Sequence, residues 1–176
     1  MAEKKSILIT SEQIKNRIAE LGDEISHMLA EENISDIIVL WLAEGAIFFA
    51  SDLIRQIKCP NLQIRSLKAS SYGKELFSQG DPKITGDESG FEGKNILIVD
   101  DIFDTGRTAE AICKRLLAVG AQSIYTCFLL NKKVEKTKVI KPDFVGFEIE
   151  DAYVFGYGLD AAEMYRNLPD IWKFDK

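Results

Sequence analysis

The sequence predicts an α/β fold, a mostly parallel central sheet flanked by helices, on three observations. Short apolar runs alternate with stretches whose apolar residues recur at helical spacing, and parallel strands need such helical crossovers between them. One run, residues 96–99, passes straight into Asp100 and Asp101, then Asp104, Thr105, Gly106, Arg107 and Thr108. An apolar run that ends in acids and a Gly/Thr turn reads as a buried parallel strand delivering a ligand loop and a helix N-terminus. The chain of 176 residues, 46% of them hydrophobic, is one domain's worth with enough apolar surface for a core.

Residues 7–9 open the chain as a short strand. Thr10 then offers an N-cap hydroxyl, with Gln13 placed to complete a capping box. Ile14, Ile18, Leu21, Ile25 and Met28 or Leu29 carry the first helix to about residue 32. Residues 37–42 form a continuous apolar strand. A second helix is expected over 45–57, with Phe49, Leu53 and Ile57 on one face, broken by Pro60 and Asn61. Residues 62–67 read as a strand. Residues 70–93 hold glycines without sustained periodicity and read as a long flap with room for paired β segments; loops of this length inside a domain are usually functional.

Residues 95–99 are the strand before the acidic motif. The helix after it uses Ala109, Ile112, Cys113, Leu116 and Leu117 and ends at Gly120 as a C-cap. Residues 124–130 form the next strand. From residue 142 the rhythm breaks into short strands at 144–149 and 154–157, expected to form a small hood with the N-terminal strand. The prediction is one domain over 1–176: core 11–140, hood 1–10 plus 141–176, flap 70–93. No internal repeat appears.

A net charge of −6 does not advertise nucleic-acid binding, which needs a basic face. No apolar run approaches the roughly 20 residues that span a bilayer, and residues 7–9 are too short for a signal peptide core. Cys59, Cys113 and Cys127 lack metal-type spacing and read as small apolar residues in a reducing, cytoplasmic setting. His27, the sole histidine, lies among acids on a helix and is expected at the surface, which argues against a Ser-His-Asp or His-ligated site.

The chemistry divides along residues 100–108. Asp100 and Asp101 can accept hydrogen bonds from vicinal hydroxyls such as a ribose offers. Thr105, Gly106, Arg107 and Thr108 can present amides and hydroxyls to a phosphate at the positive end of a helix dipole. One loop therefore suits both ends of a ribose phosphate. Two other readings exist for the segment: a structural turn with acids at a solvated strand end, and a receiver-type phosphoacceptor pair.

The segment 96–108, ILIVDDIFDTGRT, resembles the phosphoribosyl pyrophosphate motif of type I phosphoribosyltransferases. KPDFVGFEI at 141–149, FGYGLD at 155–160 and YRNL at 165–168 are similar to the C-terminal half of the hypoxanthine-guanine phosphoribosyltransferases, and Ser70, Ser71, Tyr72 and Gly73 to the start of that family's mobile loop. The turn and the C-terminal segments oppose the receiver reading. The resemblance runs from about residue 7 to the end. It implies the type I phosphoribosyltransferase fold and a purine salvage reaction. The 5-phosphoribosyl group of phosphoribosyl pyrophosphate passes to a 6-oxopurine (hypoxanthine or guanine, with xanthine a further candidate), giving IMP or GMP and pyrophosphate. It also implies Mg2+ as cofactor and a homodimer or homotetramer.

Residue roles follow from the same resemblance. Asp104 is the proton-handling acid beside the purine; its structural alternative is an N-cap. Asp100 and Asp101 hold the ribose hydroxyls, directly or through Mg2+, and Thr105, Gly106, Arg107 and Thr108 hold the 5-phosphate. Lys132, with Lys133 adjacent, donates to the purine 6-oxo group. Tyr153 stacks on the base and Val154 gives main-chain contacts. Asp160 reaches a metal or its waters, and Arg166 grips pyrophosphate. Ser71 and Tyr72 sit on the flap. The departure lies at Ala43, Glu44 and Gly45: relatives usually have Leu-Lys-Gly in this pyrophosphate loop, around a non-proline cis peptide. Glu44 favours an alternative reading, a nucleotide-binding regulator with this fold and weak or no catalysis; Asp104, Lys132 and Asp160 oppose it.

Overall fold

The structure, a computed structural model, describes residues 4–42, 44–70, 83–85, 90–133 and 140–175. Strand β1 (Lys5–Ile9) leads into helix α1 (Ser11–Glu31), strand β2 (Asp36–Leu42), helix α2 (Ile47–Ile54), and strands β3 (Asn61–Ser70) and β4 (Lys83–Thr85). Strand β5 (Asn95–Phe103), helix α3 (Arg107–Ala118), and strands β6 (Ser123–Lys133), β7 (Phe144–Glu150), β8 (Val154–Phe155) and β9 (Ile171–Phe174) follow.

Six strands form one sheet in the order β4-β3-β2-β5-β6-β7, and all pairs are parallel except β3 with β4. The chain leaves β2 for β3 on one side and returns at β5 on the other. At such a reversal the loops from neighbouring strand ends part and open a crevice, where ligands bind in open α/β sheets. The loop after β2 carries Glu44 and Gly45; the loop after β5 carries Asp104 and Thr105.

Both faces of the sheet are covered, which is why its inner strands read as unbroken apolar runs. Ile14, Ile18, Leu21 and Ile25 of α1 and Phe49 and Leu53 of α2 pack with Ile37, Val39, Leu97, Val99 and Leu129. Ile112 and Leu116 of α3 pack on the opposite face with Ile38, Leu40, Ile96 and Ile98. The capping box forms as expected: the Gln13 amide donates to the Thr10 hydroxyl, and the Thr10 amide to Gln13 Oε1 at 2.9 Å. Helix α3 ends in a Schellman turn, with the Gly120 amide on Leu117 O and the Ala121 amide on Leu116 O, both at 3.0 Å. Gly120 at φ 87° supplies the left-handed residue this turn requires.

Several expectations shift. Helix α2 is shorter than 45–57: residues 44–46 are a turn, and Ile57 is buried from beyond the helix. Leu117 is 57% exposed and does not join the core face of α3. Strand β5 runs on past Val99, so Asp100 pairs with Phe128 and Phe103 with Asn131 in the ladder. Residues 144–150, placed in the hood by the sequence, pair with β6 in the main sheet. The hood sheet is instead β1-β9-β8, antiparallel throughout. Strand β8 stops at Phe155, because Gly156 and Tyr157 take φ values of 95° and 51° that end extended pairing. The flap begins as paired strand, Lys68–Ser70 against β4; Ser71 and Tyr72 lie outside the described residues. His27 is exposed as expected, 3.1 Å from Glu31. No helix among the described residues is long and apolar enough to cross a membrane.

Arg17 joins α1 to the outer strand of the sheet. Its Nε donates to Gly146 O at 3.0 Å and its Nη2 to Val145 O at 2.9 Å, while Glu20 and Glu24 flank Nη1. Charge-assisted bonds of this kind contribute more than neutral ones. Arg17→Ala is expected to lower unfolding free energy by about 1.5–3 kcal/mol, and Arg17→Lys by less. Urea denaturation of the three proteins checks this; an alanine variant as stable as the parent would show that the bridge contributes nothing.

Candidate active site

The end of β5 concentrates the acids. The Asp101 amide donates to Asp100 Oδ1 at 2.9 Å, and the Ile102 amide to Asp101 Oδ1 at 2.7 Å, so each carboxylate is held by the backbone that follows it. Both residues keep some solvent access, yet crowding by protein atoms strips water from the carboxylates. Desolvation, and then repulsion from Asp101, pushes the Asp100 carboxyl well above the usual range. Asp101 is also raised by burial, opposed by the Ile102 amide bond and by the charge of Arg166.

Asp104 is exposed immediately beyond the strand. It is not the N-cap of α3. That position belongs to Gly106, at φ 81° and ψ 1° with no side-chain cap bond. A Cβ on Gly106 would lie 2.6 Å from the Phe103 ring, so both the left-handed conformation and the packing demand glycine. The Glu110 amide is the first to bond back, to Gly106 O at 2.8 Å. The amides of Arg107, Thr108 and Ala109 therefore lack intrahelical partners and face an anion's natural place at a helix N-terminus. Arg107 is exposed; Thr105 and Thr108 are half-buried beside it.

Gly45 joins this strand end to the hood. A Cβ on Gly45 would lie 1.8 Å from Asp101 Oδ2, and one on Gly158 would lie 2.2 Å from Gly45 O. Gly158 is locked to Arg166 in both directions: its amide donates to Arg166 O at 2.9 Å, and Arg166 Nη1 donates to Gly158 O at 2.7 Å. Arg166 Nη2 lies 3.0 Å from Asp160 Oδ1 and 3.9 Å from Glu44 Oε2. The structure thus brings Asp101, Glu44, Gly45, Asp160 and Arg166 together. No cis peptide occurs among the described residues; Ala43 lies outside them.

The purine-facing candidates sit on β6 and the hood. Alternation along β6 sends Lys132 and Lys133 to opposite faces. The Lys132 side chain is only 17% exposed and its Nζ is 3.4 Å from Asp151 Oδ1, whereas Lys133 is exposed and paired with Glu150. Tyr153 keeps an exposed ring, 5.8 Å from that of Phe174, and its hydroxyl donates to Asp160 O at 3.3 Å. Val154 is buried in β8, paired with Lys173.

Sequence reasoning missed Lys5. Its ammonium lies 4.0 Å from the Tyr165 ring centroid, 5.3 Å from that of Phe155 and 5.4 Å from that of Phe174, and donates to the Tyr165 hydroxyl at 2.9 Å. Tyr165, next to Arg166, has φ 72°. Lys5 and Tyr165 are 160 residues apart, so no local pattern could have signalled the contact.

A helix N-terminus behind Gly106, an adjacent acid pair and a hood at the switch point of a parallel sheet define an α/β protein with a ligand crevice at its strand ends. The family profile of the phosphoribosyl transferase domain matches residues 10–163, and the chain belongs to that family. Relatives within the family include hypoxanthine and hypoxanthine-guanine phosphoribosyltransferases. It is 39% identical to a hypoxanthine phosphoribosyltransferase of Haemophilus influenzae, over 95% of this chain and 93% of that one. It is equally 39% identical to a hypoxanthine-guanine phosphoribosyltransferase of Aquifex aeolicus, over 97% and 94%. Among solved structures, a hypoxanthine phosphoribosyltransferase of Staphylococcus aureus superposes with a TM-score of 0.87 at 34% identity, over 97% of this chain and 91% of that one. These relatives favour the enzyme reading over that of a regulator.

The raised Asp100 carboxyl makes a stability statement. A carboxyl whose folded value lies above its unfolded value costs stability that is absent below the unfolded value, grows as pH rises from the unfolded to the folded value, and is complete above it. Asp100→Asn is therefore expected to raise the thermal midpoint at neutral pH, by about 2–4 °C per kcal/mol relieved, with the gain vanishing in acid. Calorimetric melting across pH checks this; an unchanged or lower midpoint at neutral pH would mean that the charge is not a burden.

Proposed function

We propose that the chain transfers the 5-phosphoribosyl group of phosphoribosyl pyrophosphate to a 6-oxopurine, hypoxanthine or guanine with xanthine a further candidate, in purine salvage. The observation that carries this reading is the end of β5, where a desolvated acid pair is followed within one loop by an exposed acid and a helix N-terminus with free amides.

The bond at the anomeric carbon breaks with oxocarbenium character. Asp100 and Asp101 accept hydrogen bonds from the ribose hydroxyls, and their negative charge favours a cationic sugar. The first-turn amides of α3, with Thr105 and Thr108, hold the 5-phosphate. Asp104 takes the proton from the purine imidazole nitrogen as the N-glycosidic bond forms and returns it in the reverse reaction. Lys132 donates to the 6-oxo group; before a 6-amino group it would set donor against donor. Tyr153 offers its ring face to the base and Val154 its backbone. Arg166 and the amides of the Gly45 turn take the diphosphate end.

The donors fit a hard divalent cation: Asp100, Asp101 and Asp160 offer carboxylate oxygens without nitrogen or sulfur. Among the described residues no three acidic, histidine or cysteine side chains are close enough to hold a metal ion by themselves. A cation would then take most of its ligands from substrate phosphates and water. Mg2+ bound there supplies charge neutralisation to the leaving pyrophosphate. The protein works in the cytoplasm as a homo-oligomer. Free Cys59, Cys113 and Cys127 suit a reducing compartment, and exposed Ile47, Phe48 and Ile64 support self-association.

Incubation with phosphoribosyl pyrophosphate, Mg2+ and a panel of purines tests the reading: nucleoside monophosphate and pyrophosphate should appear with 6-oxopurines and hardly at all with adenine. Asp104→Asn keeps shape but removes the base, and turnover should fall about 100- to 10,000-fold while phosphoribosyl pyrophosphate still binds. Near-normal turnover would remove Asp104 from its role. Lys132→Ala should raise the KM for the purine and leave that for phosphoribosyl pyrophosphate nearly unchanged. Equal use of adenine and hypoxanthine by the parent protein would refute the assignment of Lys132.

A further inference from the structure

We propose that Glu44 competes with the diphosphate end of the ligand for Arg166 and so weakens the hold on pyrophosphate. The proposal rests on the site being a phosphoribosyltransferase centre and assigns a specific function to the residue that departs from the family's pattern. Among the described residues the Arg166 guanidinium has three partners of unequal firmness, one hydrogen-bonded and two ion-paired. Gly158 O at 2.7 Å is main chain, fixed by the reciprocal bond from the Gly158 amide. Asp160 Oδ1 at 3.0 Å belongs to a carboxylate whose other oxygen accepts from the Glu163 amide at 2.9 Å. These two partners hold the guanidinium in place.

Glu44 is different. Its side chain is 79% exposed and its carboxylate reaches Arg166 only at 3.9 Å. It stands on the turn before α2, whose N-cap, Ala46, makes no side-chain cap bond. Such a pair is weak and readily exchanged. A diphosphate seated on the Gly45 turn must offer its oxygens to the same Nη2 and meets the Glu44 charge beside it. The competition acts on the diphosphate alone, because the 5-phosphate site lies on α3, a separate element. An acid here therefore favours release of pyrophosphate without loosening the nucleotide.

Calorimetric titration of inorganic pyrophosphate and of IMP, both with magnesium in the buffer, into the parent protein and Glu44→Gln tests this. The variant should bind pyrophosphate roughly two- to fivefold more tightly, the range of an exposed ion pair, with the gain shrinking as salt rises. IMP affinity should not change. Glu44→Lys should extend the gain for pyrophosphate. Pyrophosphate affinity that is unchanged or weaker in Glu44→Gln, while the parent binds both ligands, overturns the role of Glu44 and leaves the site assignment standing. A parallel change in IMP affinity also overturns it, since that marks a general disturbance of the site. Failure of the parent to bind either ligand overturns the site assignment and the proposal together.

Discussion

Gly45 stands where three parts of the molecule meet without room for a side chain. Asp101 Oδ2 occupies the space a methyl group would need, and the Gly45 carbonyl fills the corresponding space at Gly158. The β2 turn, the β5 acids and the hood loop are thereby held in direct contact at one backbone position. The sheet fixes two of these partners. Strands β2 and β5 are parallel neighbours in register from Ile38 with Ile96 to Trp41 with Val99, so their outgoing loops start from set points. The third partner is tied in by Arg166, through Gly158 and Asp160. The Gly45 turn is therefore placed by the close approach of its backbone to the Asp101 carboxylate and to Gly158 rather than by the side chain of residue 44. That is how the crevice forms with an acid at residue 44.

The same convergence sets the electrostatics. Asp100 and Asp101 are adjacent, desolvated and mutually repelling, with the charge of Arg166 offsetting part of the cost at Asp101. The backbone amides of Asp101 and Ile102 stabilise the charged forms but do not cancel the burial. An acid pair of this kind is a poor way to stabilise a fold and a good way to prepare a site for ligands that bring hydroxyl donors or a cation. The α3 N-terminus lies beside it with positive polarity, so fields of opposite sign sit within a single loop.

What the sequence made legible was local. The Thr10–Gln13 capping box, the helical spacing of α1 and the unbroken run of β5 depend on neighbours within a few residues, and all appear where the pattern places them. The β5–α3 motif was legible for the same reason. The misses are long-range or competitive. Strand β7 carries short alternating apolar character that suited a hood as well as the main sheet, and only pairing with β6 decides between them. Strand β9 follows the YRNL segment with little periodic signal and is recruited by β1 from the other end of the chain. Helix α2 looked longer because Ile57 continues the face of Phe49 and Leu53, but Gly45 is claimed by Asp101 and Gly158, and residues 44–46 form a turn. The structural alternative for Asp104, an N-cap, was not the favoured reading, and the left-handed Gly106 takes that position two residues later. The Glu44–Arg166 contact joins two loops far apart in the chain and could not be read from either alone.

Backbone strain is distributed in a way that fits this division of labour. Tyr157, Ala162, Glu163 and Tyr165 all have positive φ, and each such non-glycine residue costs on the order of 1 kcal/mol or more. They fall in the loop between β8 and β9 that carries Asp160 and Arg166. Conformations like these persist only when their surroundings over-determine them, and the surroundings here can be named. Tyr157 donates from its hydroxyl to Asp52 Oδ2 at 2.7 Å and from its amide to Leu168 O at 2.8 Å. Glu163 is held by Asp160 Oδ2. Tyr165 is held by Lys5 from within the aromatic group of Phe155 and Phe174. Strand β1 therefore does more than complete the hood sheet: through one ammonium it stabilises the strained residue beside Arg166, so that side of the crevice depends on a contact between residues 160 positions apart.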